Sequence, residues 1–307
     1  MAKFTGLLRK QVGSIGDLTF KQVNGFTIVS EKITQMTNPR TDAQMRVRTR
    51  WNNIVAMYKG IRPLLNRGFE SKAAGLSDFN MFMKMNMQKT PVYLTKQQVA
   101  GGACVAAPYQ ITQGSLPAIV TTGTGANIST DIALGSLSIG STTTVADFSQ
   151  AVVQNNPDYK YGDQISYFEV IQQTNAETGF PYCQFRACKV ILDAADTTLL
   201  SAVVIAAGFK VADGMLAHAG AITGAFCWVH SRKSSGKTLV SSQSLIANND
   251  TLLGEHQGDT AYNLSKSSYG QSTEAFLSPD GESTGGASGG NGGGGNDPLN
   301  GGGNDSL

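Results

Sequence analysis

Apolar and polar positions follow a strand-like pattern at the start of the chain. Asp17–Val23 and Phe26–Lys32 are β-prone runs on either side of Asn24-Gly25. Asn-Gly supplies the two positive φ angles of a two-residue turn, so the pattern predicts a β-hairpin. Gly13 and Gly16 predict a turn just before it. After a polar connector the period becomes helical. Thr41 is followed three residues later by Gln44, a capping-box spacing. Val47, Trp51, Ile54, Val55 and Tyr58 then recur at intervals of three and four, which predicts a helix turning that stripe, Trp51 and Tyr58 included, towards a core. Gly60 and Pro63 predict a break and a second short helix over 63–69. Ser77 or Asp78 is placed to cap a third helix around Phe79–Met87.

Beyond Lys96 the texture is one of short β-prone runs separated by turn residues. Candidate strands are Cys104–Ile111, Ala118–Thr122, Ile165–Gln172, Tyr182–Leu192, Ala225–His230 and Thr238–Ser242, the last two joined by a loop at Lys233–Gly236. Val145–Gln154 and the stretch around Leu199 fit a helix or an extended segment. Short strands with frequent turns favour an antiparallel sandwich or open barrel over a βαβ fold. The expected fold class is α+β: an N-terminal hairpin plus two or three helices (1–96), a mainly antiparallel β-sandwich-like domain (97–277), and a tail (278–307). From Ser278 onward the chain is almost entirely Gly, Ser, Asn and Asp, too poor in apolar groups to offset its ordering entropy, so the tail is expected to be disordered.

Charge sharpens this division. Residues 1–96 carry 16 Lys or Arg against 5 Asp or Glu, and residues 97–307 carry 8 against 17, a split of +11 against −9. A basic module of this kind attracts nucleic acid, an acidic protein, or the acidic half of a second copy. The strongest cluster is Arg40, Arg46, Arg48, Arg50, Lys59, Arg62 and Arg67, opposed within that span only by Asp42. A second basic patch, His230, Arg232, Lys233 and Lys237, falls at the tip of the last hairpin and is a candidate loop contact.

Catalytic and metal signatures are not evident. His218, His230 and His256 are scattered, and Cys104, Cys183, Cys188 and Cys227 form no Cys-x-x-Cys pair and read as small buried apolar residues. Gly-Thr-Gly at 123–125 lacks phosphate-loop spacing, and Gly114-Ser115-Leu116 lacks the second glycine of a nucleophile elbow. Asp163, Glu169, Asp193 and Asp196 have no spacing that implies cooperation. The expectation is a non-enzyme with no cofactor and no metal. The N-terminus lacks the apolar run of a secretory signal, and the longest apolar stretch, Leu199–Ala207, is about half a membrane span. A cytoplasmic or virion setting is expected.

Gly13-x-x-Gly16, the hairpin through Asn24-Gly25, Thr41-x-x-Gln44 with Arg46 and Arg50, Ser77-x-x-Asn80-x-Phe82 and Gln113-Gly114-Ser115-Leu116-Pro117 together carry a resemblance. The chain resembles an uncharacterised protein family of Bacteroidota and of their phages and mobile elements, well over the first 120 residues and loosely beyond. The resemblance implies no catalytic residue; its phage association implies virion or surface assembly. The leading expectation is therefore a structural or assembly protein whose basic module docks on nucleic acid or on protein. The alternative is a surface-recognition module in which the β domain, with Tyr159, Tyr161 and Tyr182 as candidate contacts, binds glycan or a host protein.

Overall fold

The computed structural model describes residues 2–4, 12–23, 26–32, 41–65, 68–73, 75–125, 127–220 and 223–270. The Asn24-Gly25 turn, Arg40, Arg67 and the tail from Ser278 lie outside them. The fold is α+β, with antiparallel pairing throughout the named sheets.

The expected hairpin is present and is the centre of a larger sheet. β1 (Ala2–Phe4), β2 (Gly13–Ile15), β3 (Leu18–Val23) and β4 (Phe26–Glu31) pair in the order β1-β4-β3-β2, with Val23 opposite Phe26. Gly16, at φ 54°, makes the β2–β3 turn, a backbone angle that favours glycine. Among the described residues this sheet contributes to none of the three apolar clusters of the molecule.

Helix α1 (Asp42–Ile61) begins where expected, with Thr41 accepting a hydrogen bond from the Gln44 backbone. Ile54, with the half-buried Val55 and Tyr58, packs on the core as expected, but the rest of the stripe differs. Met45, Thr49, Asn53, Ile54, Met57 and Ile61 face inward, while Val47 and Trp51 are 45% and 41% exposed. The inward side carries polar residues because their hydrogen bonds are met there: Thr49 Oγ1 donates to the Met45 carbonyl at 2.7 Å, and Asn53 is bonded on both amide atoms. The expected break at Gly60 is also corrected. The helix runs through it, because a Cβ at that position would meet the Phe185 ring at 2.1 Å; glycine is what lets α1 lie close against the sheet. Residues 62–64 form a turn where the second helix was expected. α2 (Asp78–Asn86) is capped by Ser77, and the short α3 (Lys96–Ala100) by a Thr95–Gln98 capping box.

The central sheet consists of β8 (Gln164–Thr174), β9 (Pro181–Ile191), β12 (Gly224–Ser234) and β13 (Lys237–Val240) in the order β13-β12-β8-β9, with β15 (Ile246–Asn248) also on β12. β8 and most of β12 are buried on both faces, while β9 keeps Gln184, Arg186 and Lys189 exposed. Phe168, Val170, Ala225, Cys227 and Val229 join the cluster formed with α1 and α2. The alternate residues Ile165, Tyr167, Val190, Phe226 and Trp228 join a second cluster. That cluster includes α4 (Val145–Asn155) and residues of a four-stranded sheet, β10 (Lys210–Ala212), β11 (Met215–Ala219), β7 (Asn127–Ala133) and β6 (Thr121–Thr124), in that order. α4 resolves the ambiguity at 145–154 in favour of a helix: Thr144 and Asp147 form a capping box, and Phe148, Ala151 and Val152 face inward.

The expected strand at Cys104–Ile111 shortens to β5 (Gln110–Thr112), which pairs β14 (Gln243–Ser244). Residues 103–109 form no strand because side-chain amides take the place of a neighbouring strand. Asn53 bonds both the N–H and the carbonyl of Val105, at 2.8 and 2.9 Å. Gln172 accepts from Ala106 N at 2.8 Å and donates to the Cys104 carbonyl at 3.1 Å, and Asn249 donates to the Ala106 carbonyl at 3.0 Å. α5 (Leu200–Val203), α6 (Asp250–Glu255) and α7 (Gly258–Ser268) complete the described elements.

Candidate docking surface

α1 determines where the first basic cluster points. At about 100° per residue, Arg48, Lys59 and Arg62 fall within about 60° of one another on the helix, on the side away from the buried stripe. Arg46 and Arg50 fall on the inward side. The contacts agree. Arg46 Nε donates to Asp42 Oδ2 at 2.9 Å, its Nη2 reaches Asp259 at 3.4 Å, and its guanidinium lies 4.3 Å from the centre of the Tyr262 ring. Asp42 also accepts from Lys266 Nζ at 2.8 Å and from the Tyr262 hydroxyl at 2.7 Å. Lys266, Tyr262 and Arg46 together hold the Asp42 carboxyl far below the usual range. α7 is thereby fastened to α1. Arg50 donates to the Arg46 carbonyl at 2.8 Å and to the Met87 carbonyl at the C-terminus of α2, where the helix dipole favours a cation.

Lys59 and Arg62 are exposed; Arg48 is half-buried, with its Nη1 buried and lacking a hydrogen-bond partner. Trp51 borders this outward stripe and heads a run of ring contacts: Trp51–Phe79 at 6.1 Å, Phe79–Tyr58 at 5.2 Å, Tyr58–Phe82 at 5.3 Å and Phe82–Tyr109 at 6.2 Å.

The second basic patch divides. His230 Nε2 lies 2.9 Å from Asp163 Oδ2, and Arg232 grips both Asp163 oxygens at 2.7 Å and the Asp158 carbonyl at 2.6 Å. Tyr159 stacks on the His230 ring at 4.3 Å. His230 is buried, which holds its imidazole below the usual range despite the neighbouring carboxylate. Burial opposes the charge on Asp163, yet Arg232, His230 and the Lys160 N–H keep its carboxyl low. This buried charge group joins the ends of β8 and β12; Lys233 and Lys237 stand exposed at the hairpin.

The acids do not converge. Glu169 faces Arg186 across β8 and β9, and Asp193 and Asp196 accept backbone N–H groups of their own loop, from Ala195 and Thr198. An open depression of about 630 Å³ at the β8–β9 turn is lined by Gly101, Asn175, Glu177, Phe180 and Tyr182 among others. Tyr161 is exposed, whereas Tyr159 and Tyr182 are half-buried. Among the described residues no group of three or more His, Cys, Asp or Glu is placed to hold a metal ion, and no helix is long and apolar enough to cross a membrane.

Exposed apolar surface, by contrast, is concentrated. Fourteen large apolar side chains stand exposed among the described residues, and eight of them fall between Val12 and Leu76. Val12 and Ile15 are 73% and 67% exposed, Leu18 and Val23 less so. Register places Ile15 and Leu18 opposite one another on one face of the N-terminal sheet. This signal was readable in the sequence only as β-prone alternation; it took the fold to show that Ile15 and Leu18 stay exposed while Phe20, on the same face, is buried. Comparison with known proteins returned no match to a family model, to a curated protein or to a solved structure.

Proposed function

We propose that this chain is a non-catalytic assembly protein, a β-sandwich-like body whose N-terminal module docks on another protein within a larger particle such as a virion. The observation that carries the reading is the crowding of exposed apolar side chains into residues 12–76, five of them in or beside the N-terminal sheet, which joins none of the three apolar clusters among the described residues. Apolar groups left outside a core mark protein contact surfaces. The basic charge of the same module selects an acidic partner, and the acidic half of a second copy meets that requirement. Sedimentation velocity of the full chain over a wide concentration range tests this: wild-type protein associates, and an Ile15→Glu/Leu18→Glu variant stays monomeric with an unchanged circular dichroism spectrum. Wild-type protein that stays monomeric and binds no acidic protein contradicts it.

A second reading rests on a different observation, the outward stripe of Arg48, Lys59 and Arg62 beside Trp51. Cations beside an exposed indole suit a polyanion, with phosphates on the cations and a base on the ring. Titration with single-stranded and duplex DNA at two salt concentrations decides it. Salt-sensitive binding lost in Arg48→Ala/Lys59→Ala/Arg62→Ala supports nucleic acid; no binding removes it.

A further inference from the structure

We propose that Cys104 and Cys183 are a redox pair, closing to a disulfide that clamps the 103–109 segment onto the start of β9. All four cysteines are free thiols. Two of them are kept apart by the central sheet: Cys227 belongs to the cluster under α1, and Cys188 to the cluster on the opposite face, where its sulfur accepts the Ile205 N–H at 3.2 Å. Cys104 and Cys183 share the α1-side cluster with Cys227, but register places Cys227 opposite Phe168 and Cys183 opposite Gln172, about 13 Å apart along β8, so Cys183 has Cys104 as its neighbour. The Cys104 N–H donates to the Pro181 carbonyl at 2.8 Å, and Cys183 Sγ lies 3.4 Å from the Cys104 carbonyl oxygen. Cys183 is thus seated directly against the backbone of Cys104. Gln172 closes the arrangement, 3.5 Å from Cys183 Sγ and bonded to the carbonyls of Cys104 and Tyr182.

Burial assigns the order of events. Cys104 is buried, and the neighbouring Cys183 together with burial holds its thiol well above the usual range, so it is the poorer first nucleophile. Cys183 is only half-buried. With hydrogen peroxide as oxidant, the Cys183 thiolate attacks one peroxide oxygen and the O–O bond breaks, giving a sulfenic acid and one water. The Cys104 sulfur then displaces the sulfenic oxygen as a second water, forming the S–S bond. Two thiols lose two electrons and two protons, and one peroxide becomes two waters.

The link has a structural consequence. Residues 103–109 are held to α1 through Asn53 and to the central sheet through Gln172, so a bond at Cys104 fixes the α1 layer to β9. It also closes a loop of about 80 residues in the unfolded chain, which raises the melting midpoint by about 4 °C or more.

The test uses the full chain treated with hydrogen peroxide and then denatured for thiol counting. Four reactive thiols fall to two, peptide mapping joins Cys104 to Cys183, and dithiothreitol restores all four. In Cys104→Ser the Cys183 sulfenic acid persists and is trapped by dimedone; in Cys183→Ser three thiols survive. The second variant alters a half-buried position, so the test stands even where Cys104→Ser fails to fold. Wild-type protein that keeps four thiols, or that links a different pair or two chains, overturns the proposal.

Discussion

Replacing Asn53 by Ala tests how the α1 layer is held to the rest of the molecule. Asn53 is fully buried and makes three hydrogen bonds, two to the backbone of Val105 and one to the Tyr109 hydroxyl at 3.1 Å. Each bond contributes about 1 kcal/mol net, and the variant leaves the Val105 N–H and carbonyl buried without a partner, costing about 1–3 kcal/mol apiece. These terms overlap, so the expected loss is about 3–5 kcal/mol, well above the usual effect of a point mutation. Asn53→Asp removes the donor while keeping an acceptor for Val105 N, and adds a buried charge, so it is expected to be no better tolerated. Urea unfolding followed by tryptophan fluorescence and circular dichroism measures both. A loss below about 1 kcal/mol with an unchanged denaturant slope would refute the view that side-chain amides replace a strand at 103–109.

Gly60→Ala gives a second test through its sign: helix propensity alone stabilises by up to about 1 kcal/mol, whereas overlap with Phe185 destabilises by about 1–3 kcal/mol, and Phe185→Ala in the same chain recovers part of the loss. Stability is also expected to fall as pH drops below about 6.5. Burial holds His218 and His230 below their unfolded range, so the unfolded chain binds more protons in that window and folding weakens as pH drops. His218→Gln, which cannot charge, should flatten part of that slope in urea titrations at successive pH values. Asp42→Ala removes the acceptor shared by Arg46, Tyr262 and Lys266, leaving the buried Lys266 ammonium without its counter-charge; limited proteolysis should then release α7 first, whereas unchanged cleavage kinetics would show that the contact is not what holds it.

Local signals carried much of the chain. Val23 pairs with Phe26, Thr41 caps a helix, and the β8 and β9 runs are strands within a residue or two of their expected bounds. What was not legible depended on distant partners. The α1 stripe was misplaced in part because Asn53 and Thr49 count as polar until their buried acceptors are known, while Val47 and Trp51 count as core. Gly60 looked like a break because nothing local announces Phe185. Arg46 and Arg50 were not legible as residues engaged within the chain, since Asp259 and Met87 lie far away in sequence. α7 has few apolar residues and is anchored by Tyr262 and Lys266, so periodicity alone left it unmarked.

The most direct measurement of the docking role is hydrogen exchange of the full chain at low and high concentration, read by mass spectrometry. The account predicts that amides in β2–β4 and the exposed side of α1 slow as concentration rises, while those of β8 and α4 do not change. Equal exchange in β2–β4 at all concentrations, together with new protection elsewhere, would contradict it.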